Sequence, residues 1–215
     1  MSTDPYAGAL GRAYSWYIRR PGVGRRVGRA VWGSDFGPMY ESLQQLARLP
    51  GESAVLDVPC GAGLSLHFLE PSRTGTYLGV DASPAMLARA RRVAQRRGFA
   101  HVELHEADIT AIPMADASAD VCLLYNGLHC VDDPQAALAE VVRCLRPSGR
   151  LVGSMLVRGG SRRADRTLAR EAARPHGMTR AGGTLTDLRG WLESAGLTGI
   201  EALASGAVAV FSGSR

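Results

Sequence analysis

Residues 55–70 read VLDVPCGAGLSLHFLE. An apolar run of strand type ends in Asp57, two spaced glycines follow at 61 and 63, and a helical pattern is expected from Gly63 onward. The order strand, acidic residue, glycine-rich turn places a ligand loop at the carboxyl end of a strand, where open parallel sheets bind ligands. Gly61 and Gly63 allow positive φ and close approach of the backbone to a ligand. Pro59 stands where a nucleotide-binding turn often carries its first glycine; it fixes φ and contributes no N–H.

The loop excludes two common nucleotide sites. G-x-G-x-x-G fails at its third glycine, because Leu66 occupies that position. A phosphate-binding loop ending in Gly-Lys-Ser/Thr is impossible, since the chain has no lysine. Asp57 is badly placed for a pyrophosphate and well placed for an ammonium or sulfonium group.

Beyond the loop the chain alternates. Strands are expected over 53–58, 76–80, 101–107, 120–126 and 149–157, and two more within 197–213, joined near Ser205-Gly206. Helices are expected over 83–98, 133–146, 161–174 and 184–196, with a loop over 175–184. Ser83, Pro84 and Gly98 supply N-cap, first-turn and stop residues for the first of these. Such alternation specifies a parallel sheet covered on both faces. Residues 7–49 read as helices broken at Pro21-Gly22 and Gly37-Pro38, and they concentrate aromatic residues.

Composition narrows the class. The 46% hydrophobic content of 215 residues is ample for a core, and no apolar run is long enough for a membrane span. No signal-peptide pattern opens the chain, so it is expected in the cytoplasm, with Cys60, Cys122, Cys130 and Cys144 as reduced thiols. His67, His101, His105 and His176 show no zinc-type spacing with these cysteines, and no metal is expected. A Cys60–Cys130–Cys144 trio for arsenite is a minor alternative. All 25 basic residues are arginine, giving a net charge of +5. They gather at 19–29 and 89–97; a solvated face is the plain reading and a phosphate-binding patch the sharper one.

With these motifs in place, the chain resembles the class I S-adenosylmethionine-dependent methyltransferases. Asp57-Val-Pro-Cys-Gly-Ala-Gly63 is similar to their first motif, with Pro59 as the one departure. Asp81 closes the second strand, "ADITAIP" follows the third, and residues 118–154 resemble the ubiquinone/menaquinone-biosynthesis-like (type 11) branch. The resemblance covers residues 53–157; residues 1–50 and 158–215 agree only in layout. It implies a Rossmann-like, doubly wound α/β fold with a seven-stranded, mostly parallel sheet. Residues 1–50 would form a helical cap or lid, and 51–215 the cofactor-binding domain.

It further implies S-adenosylmethionine as cofactor, S-adenosylhomocysteine as product, and a cofactor site of Asp57, Pro59, Cys60, Gly61, Gly63, Asp81, Ala82, Asp108, Ile109 and Asn126. In that site Asp81 takes the ribose hydroxyls, Asp108 the adenine amino group, and Ile109 lies along the ring. His129, just past the fourth strand, is the candidate base, because an ordinary imidazole titrates near neutrality. Tyr14, Tyr17 and Trp32 are candidate lid and acceptor-contact residues, with His129 beside them. The expected reaction is methyl transfer to a small, partly apolar acceptor of natural-product, quinone or lipid-like type. The rivals are a protein of this fold that binds the cofactor without methyl transfer, and an RNA methyltransferase using the arginine clusters. The chain lacks the Asn/Asp-Pro-Pro-aromatic signature of many nucleic-acid amine methyltransferases, which disfavours nucleic acid as partner.

Overall fold

A computed structural model describes residues 4, 6–173 and 182–215. His176 and most of the loop expected over 175–184 lie outside the described residues. Seven strands form one sheet in the order β3-β2-β1-β4-β5-β7-β6. They are β1 (Ser53–Asp57), β2 (Thr74–Asp81), β3 (Val102–Glu106), β4 (Ala119–Tyr125), β5 (Leu145–Leu156), β6 (Thr198–Ser205) and β7 (Val208–Ser214). Every pairing among β1 to β5 is parallel; β7 runs antiparallel between β5 and β6. The β6–β7 connection turns at Gly206, whose φ of 62° suits glycine.

The strands are built for burial on both faces: β4 reads ADVCLLY and exposes almost none of it. One face is covered by α5 (Pro134–Cys144) and α7 (Leu185–Ser194), whose Leu138, Val141, Leu188 and Leu192 join the strand residues Leu56, Cys122, Leu124 and Leu151 in a single core. On the other face Tyr40 and Leu43 of α3 (Gly37–Gln45) pack with Val55, Tyr77, Leu123 and Val93 of α4 (Pro84–Arg97). The N-terminal helices therefore contribute to the core of the sheet. They comprise α1 (Ala9–Ile18), α2 (Pro21–Val27) with a π-helical turn over Gly28–Trp32, and α3. Tyr40 Oη donates to the Ile18 carbonyl at 2.7 Å, and Arg25 pairs with Asp35 at 2.8 Å, tying these helices to one another. A sixth helix, α6 (Arg162–Ala172), packs beside the π-helical turn; Arg163 donates to the Ala30 carbonyl at 2.9 Å.

One expected element is missing. No α-helix follows β1; the chain makes one 3-10 turn at Ser65–His67 and another at Pro71–Arg73. Gly63 leaves the turn at φ 79°, and Glu70, preceding Pro71, is extended. The few residues between cannot repay helix nucleation. Elsewhere the helices form where their signals lie. The Ser83 side chain accepts from Met86 N–H and Gly98 ends α4 at φ 75°. Asp133 caps α5, and Thr184 and Asp187 close a capping box on α7.

Candidate functional site

The strand order reverses at β1, which lies between β2 and β4, so a crevice opens beyond the carboxyl ends of β1 and β4. The loops over 58–64 and 126–131 flank it. Pro59 follows a cis peptide bond. A Cβ at Gly127 would overlap the Pro59 ring, so the proline of one loop and the glycine of the other fit together across the crevice.

Asp57 lies at the base of this crevice and is almost wholly buried. Its Oδ2 accepts from the buried Tyr77 hydroxyl at 2.6 Å, and the Ser65 hydroxyl also bonds to the carboxylate. Burial outweighs these bonds and pushes its pKa up to about 7. Gly61 has φ 53° and open space where a side chain would stand, leaving room for a ligand against the backbone. Gly63 serves packing instead: a Cβ there would press on Leu66 and Ala90.

Asp81, at the end of β2, accepts from Gly61 N–H and Ser83 N–H, both at 2.8 Å. It thus fixes the glycine turn to the head of α4. Burial raises its pKa to about 6 despite the two bonds. The N-terminal segment crosses the same place. Ser83 Oγ donates to Asp4 at 2.6 Å, and Arg89 donates to the Tyr6 carbonyl at 3.0 Å.

Two cavities adjoin the crevice and share Tyr14 and Ile18. The larger, about 320 Å³, lies between α1, α4 and the glycine loop; Asp57, Pro59, Cys60 and Gly61 line it, as does Tyr125. The smaller, about 60 Å³, is walled by Tyr6, Tyr14, Tyr17, Trp32 and Phe36, with Asn126 and His129 among its other lining residues. Tyr14 and Tyr17 meet edge to face with centroids 5.6 Å apart.

Asn126 sits at the end of β4 in the left-handed region, φ 56°. Its Nδ2 reaches Tyr14 Oη at 3.5 Å and Met39 Sδ at 3.3 Å, and its Oδ1 accepts from Ser154 at 3.2 Å. His129, on a 3-10 turn over Leu128–Cys130, accepts the Leu156 N–H on Nδ1 at 3.2 Å. Its pKa falls to about 4, because burial disfavours the imidazolium. The expectation of a base titrating near neutrality therefore needs correction. At pH 7 this imidazole is neutral, its Nδ1 lone pair is engaged, and the hydrogen bond assigns its proton to Nε2.

The structure thus brings Asp57, Pro59, Cys60 and Gly61 to one cavity, and Tyr14, Tyr17, Trp32, Asn126 and His129 to the other. Asp108, Ile109 and Ala82 line neither. Asp108 is exposed and spends Oδ1 on the N–H and hydroxyl of Thr110, which lower its pKa, while Ile109 packs in the core. Tyr6, Phe36 and Leu156 join the aromatic wall without having been singled out, although Tyr6 and Phe36 stood in the aromatic-rich N-terminal segment. Cys60, Cys130 and Cys144 do not form a metal site; among the described residues no three acidic, histidine or cysteine side chains converge on one.

The donor set fits a cationic cofactor. A buried carboxyl stands at the cavity floor, beside a glycine with free space above it.

Residues 56–153 match a family model described as a methyltransferase domain. The chain is 35% identical over 113 residues to a ubiquinone/menaquinone biosynthesis C-methyltransferase of Bdellovibrio bacteriovorus, covering 51% of this chain and 48% of that protein. It is 36% identical over 118 residues to a malonyl-[acyl-carrier protein] O-methyltransferase of Hahella chejuensis, covering 54% and 41%. The chain spans about half the length, or less, of these curated relatives. Among solved structures, the [4+2]-cyclase SpnF superposes with a TM-score of 0.66 at 18% identity, over 100% of this chain and 99% of that one. That likeness shows the fold alone. Among the described residues no helix is long and apolar enough to cross a membrane.

Proposed function

We propose that this chain, which through residues 56–153 belongs to the class I S-adenosylmethionine-dependent methyltransferases of the ubiquinone/menaquinone-biosynthesis-like type, methylates a small, partly apolar acceptor held in the aromatic cavity. The observation that carries the reading is the pairing of two unlike cavities at one crevice. One is floored by a buried acid and a glycine turn, and the other is walled by aromatic rings.

S-adenosylmethionine, when bound, supplies an electrophilic methyl group on a sulfonium. The residues of this chain would bind, orient and exclude water. Asp57 offers negative charge in a site of low dielectric, where it favours a cationic ligand most. Asp81 holds the Gly61 turn through its backbone bond, and Ala82, Asp108 and Ile109 are carried as the rest of the cofactor wall on the resemblance. Pro59 and Cys60 complete the cavity floor.

Displacement at a methyl carbon demands alignment of the acceptor more than proton chemistry. Asn126 and the neutral His129 present amide and Nε2–H groups that would orient an acceptor oxygen or nitrogen. Tyr14, Tyr17 and Trp32, from the N-terminal cap, would close over it. No residue in this account removes a proton, so the reading favours acceptors that are already nucleophilic or already ionised.

Calorimetric titration with S-adenosylmethionine and S-adenosylhomocysteine tests the reading, with Asp81→Ala as control. Binding by the intact chain, much weakened in the variant, is expected. Transfer is then sought by screening acceptors with labelled methyl donor. Failure of the folded chain to bind either ligand sinks the proposal. Binding without transfer to any acceptor would move the chain to the non-methylating rival.

A further inference from the structure

The larger cavity carries more positive charge than a cofactor needs. Arg89, Arg92 and Arg96 of α4 lie at i, i+3 and i+7, one face of that helix, and all three line the cavity. Across from them stand Arg12 and Arg19, seven residues apart at two turns of the α1 segment. The two stripes run roughly 10 Å along the opening. Asp57, buried at the floor, is the one acidic side chain in the lining among the described residues.

The guanidinium groups of Arg12, Arg19, Arg92 and Arg96 make no hydrogen bond or ion pair among the described residues. Among the described residues four arginines elsewhere are ion-paired, Arg25 and Arg29 with Asp35, Arg143 with Glu140 and Asp116, and Arg146 with Asp120, while others such as Arg26, Arg91 and Arg150 are not, so it is the convergence of five guanidinium groups on one cavity that sets this group apart. His67 lines the same cavity, and its buried Nε2 has no hydrogen-bond partner. A buried polar atom without a partner is costly and calls for one. One amino-acid carboxylate is satisfied by a single bidentate guanidinium. Two facing stripes of five suit a longer, multiply charged anion, and the planar fork of arginine matches phosphate oxygens.

We propose that the arginine-lined side of this cavity, between α1 and α4 and not its Asp57 floor, binds a diphosphate group carried by the methyl acceptor, with the apolar part of that acceptor directed past Tyr14 and Ile18 into the aromatic cavity. Assigning the diphosphate to the acceptor rests on the methyl-transfer reading above; the anion site itself does not. Free diphosphate and a lipid diphosphate headgroup share this chemistry.

The test is calorimetric titration of the full chain with inorganic pyrophosphate, alone and with saturating S-adenosylhomocysteine, in the wild type and in Arg92→Ala/Arg96→Ala. Both positions are exposed on α4 and alanine favours helix, so the variant should fold, which a melting curve verifies. The expected result is one-to-one pyrophosphate binding that persists beside S-adenosylhomocysteine, weakens with salt and falls about tenfold or more in the variant. The affinity for S-adenosylhomocysteine should fall by less than that for pyrophosphate, since Arg92 and Arg96 line the exposed α4 side of the cavity whose floor is Asp57 and Gly61.

Absence of pyrophosphate binding overturns the proposal. So does loss of that binding when S-adenosylhomocysteine is present, which would give the arginines to the cofactor's own carboxylate. An RNA oligomer that binds more tightly than pyrophosphate, with a steeper salt dependence, overturns it in favour of nucleic acid. Binding to vesicles of anionic lipid in addition to soluble pyrophosphate supports it and names a lipid-linked source. Pyrophosphate binding with no S-adenosylhomocysteine binding would keep the anion site and remove the methyl-transfer reading.

Discussion

The two cavities are built in different ways. The larger takes its floor from one short stretch, Asp57 and Pro59 to Ala62, set by the end of one strand and the turn after it. The smaller is assembled from the first helix, the π-helical turn before α3, the loop after β4 and the end of β5. Titratable behaviour divides the same way. Asp57, at the floor of the larger cavity, sits near neutrality, about 7, whereas His129 in the smaller sits near 4 and Tyr17 is pushed up to about 12 by burial. The floor of the first cavity is therefore charge-switchable near neutral pH, beneath a wall of five arginines, while His129 and Tyr17 in the second are neutral there. A charged site suits a cationic cofactor; a neutral aromatic one suits recognition by shape.

The largest effect should follow Asp57→Asn. Asparagine keeps the size and removes the charge, so affinity for S-adenosylmethionine should fall by about 10- to 100-fold, the worth of a buried charged contact. Fold stability should move the other way. A carboxyl whose folded pKa is raised favours the fold at low pH, and that contribution is lost as pH rises from about 4 toward 7. At pH 8 the variant should therefore melt at or above the wild-type temperature. A lower melting temperature together with unchanged affinity would show that Asp57 is a structural residue of the turn.

Next in size is the pH dependence of binding. The ionised form of Asp57 is the one that favours a cation, so affinity should be greatest above about 7 and decline below it. Between pH 8 and pH 6 the loss should be about tenfold, with Asp81, at about 6, adding in the same direction. Titration across that range should show proton release on binding, and Asp57→Asn should flatten the curve. A flat wild-type curve would break the contrast between the cavities.

The same contrast explains what the sequence reveals. Asp57, Gly61 and Asp81 are legible because strand ends and glycines are local signals, and all the strands follow from apolar runs with clear stops. The absence of a helix after β1 is not legible from periodicity, since Leu64 and Phe68 stand at the i, i+4 spacing of a helix and only Pro71 limits its length. Gly127 carries no signal of its own in the sequence, because its need for a small residue comes from Pro59, in a different loop. Tyr6 and Leu156 join one wall only after folding, and no window of sequence contains both. The titration of His129 is not legible in sequence for a related reason. Its pKa is lowered by burial, which its neighbours in sequence do not disclose.

On the aromatic side the effects should be smaller. His129→Gln keeps a neutral donor and removes any base, so transfer to an acceptor found in the screen should fall by less than about tenfold. Positioned general bases contribute about 10²–10⁴. A loss in that range, with the wild-type rate following a group of pKa near 6 or 7, would restore His129 as the base.

The smallest effect on the cofactor side should come from Tyr17→Ala. Tyr17 faces the small cavity and stacks edge-on against Tyr14, yet it does not line the larger one. Loss of its ring should raise the acceptor KM several-fold through lost burial, since an aromatic contact is worth about 0.5–1.5 kcal/mol beyond its area. Affinity for S-adenosylhomocysteine should stay within about twofold, because the Asp57–Gly61 floor keeps every hydrogen bond it has. Equal losses on both sides would mean that the N-terminal helices act as one rigid support for the crevice and that the two cavities share a single wall in energy as well as in space.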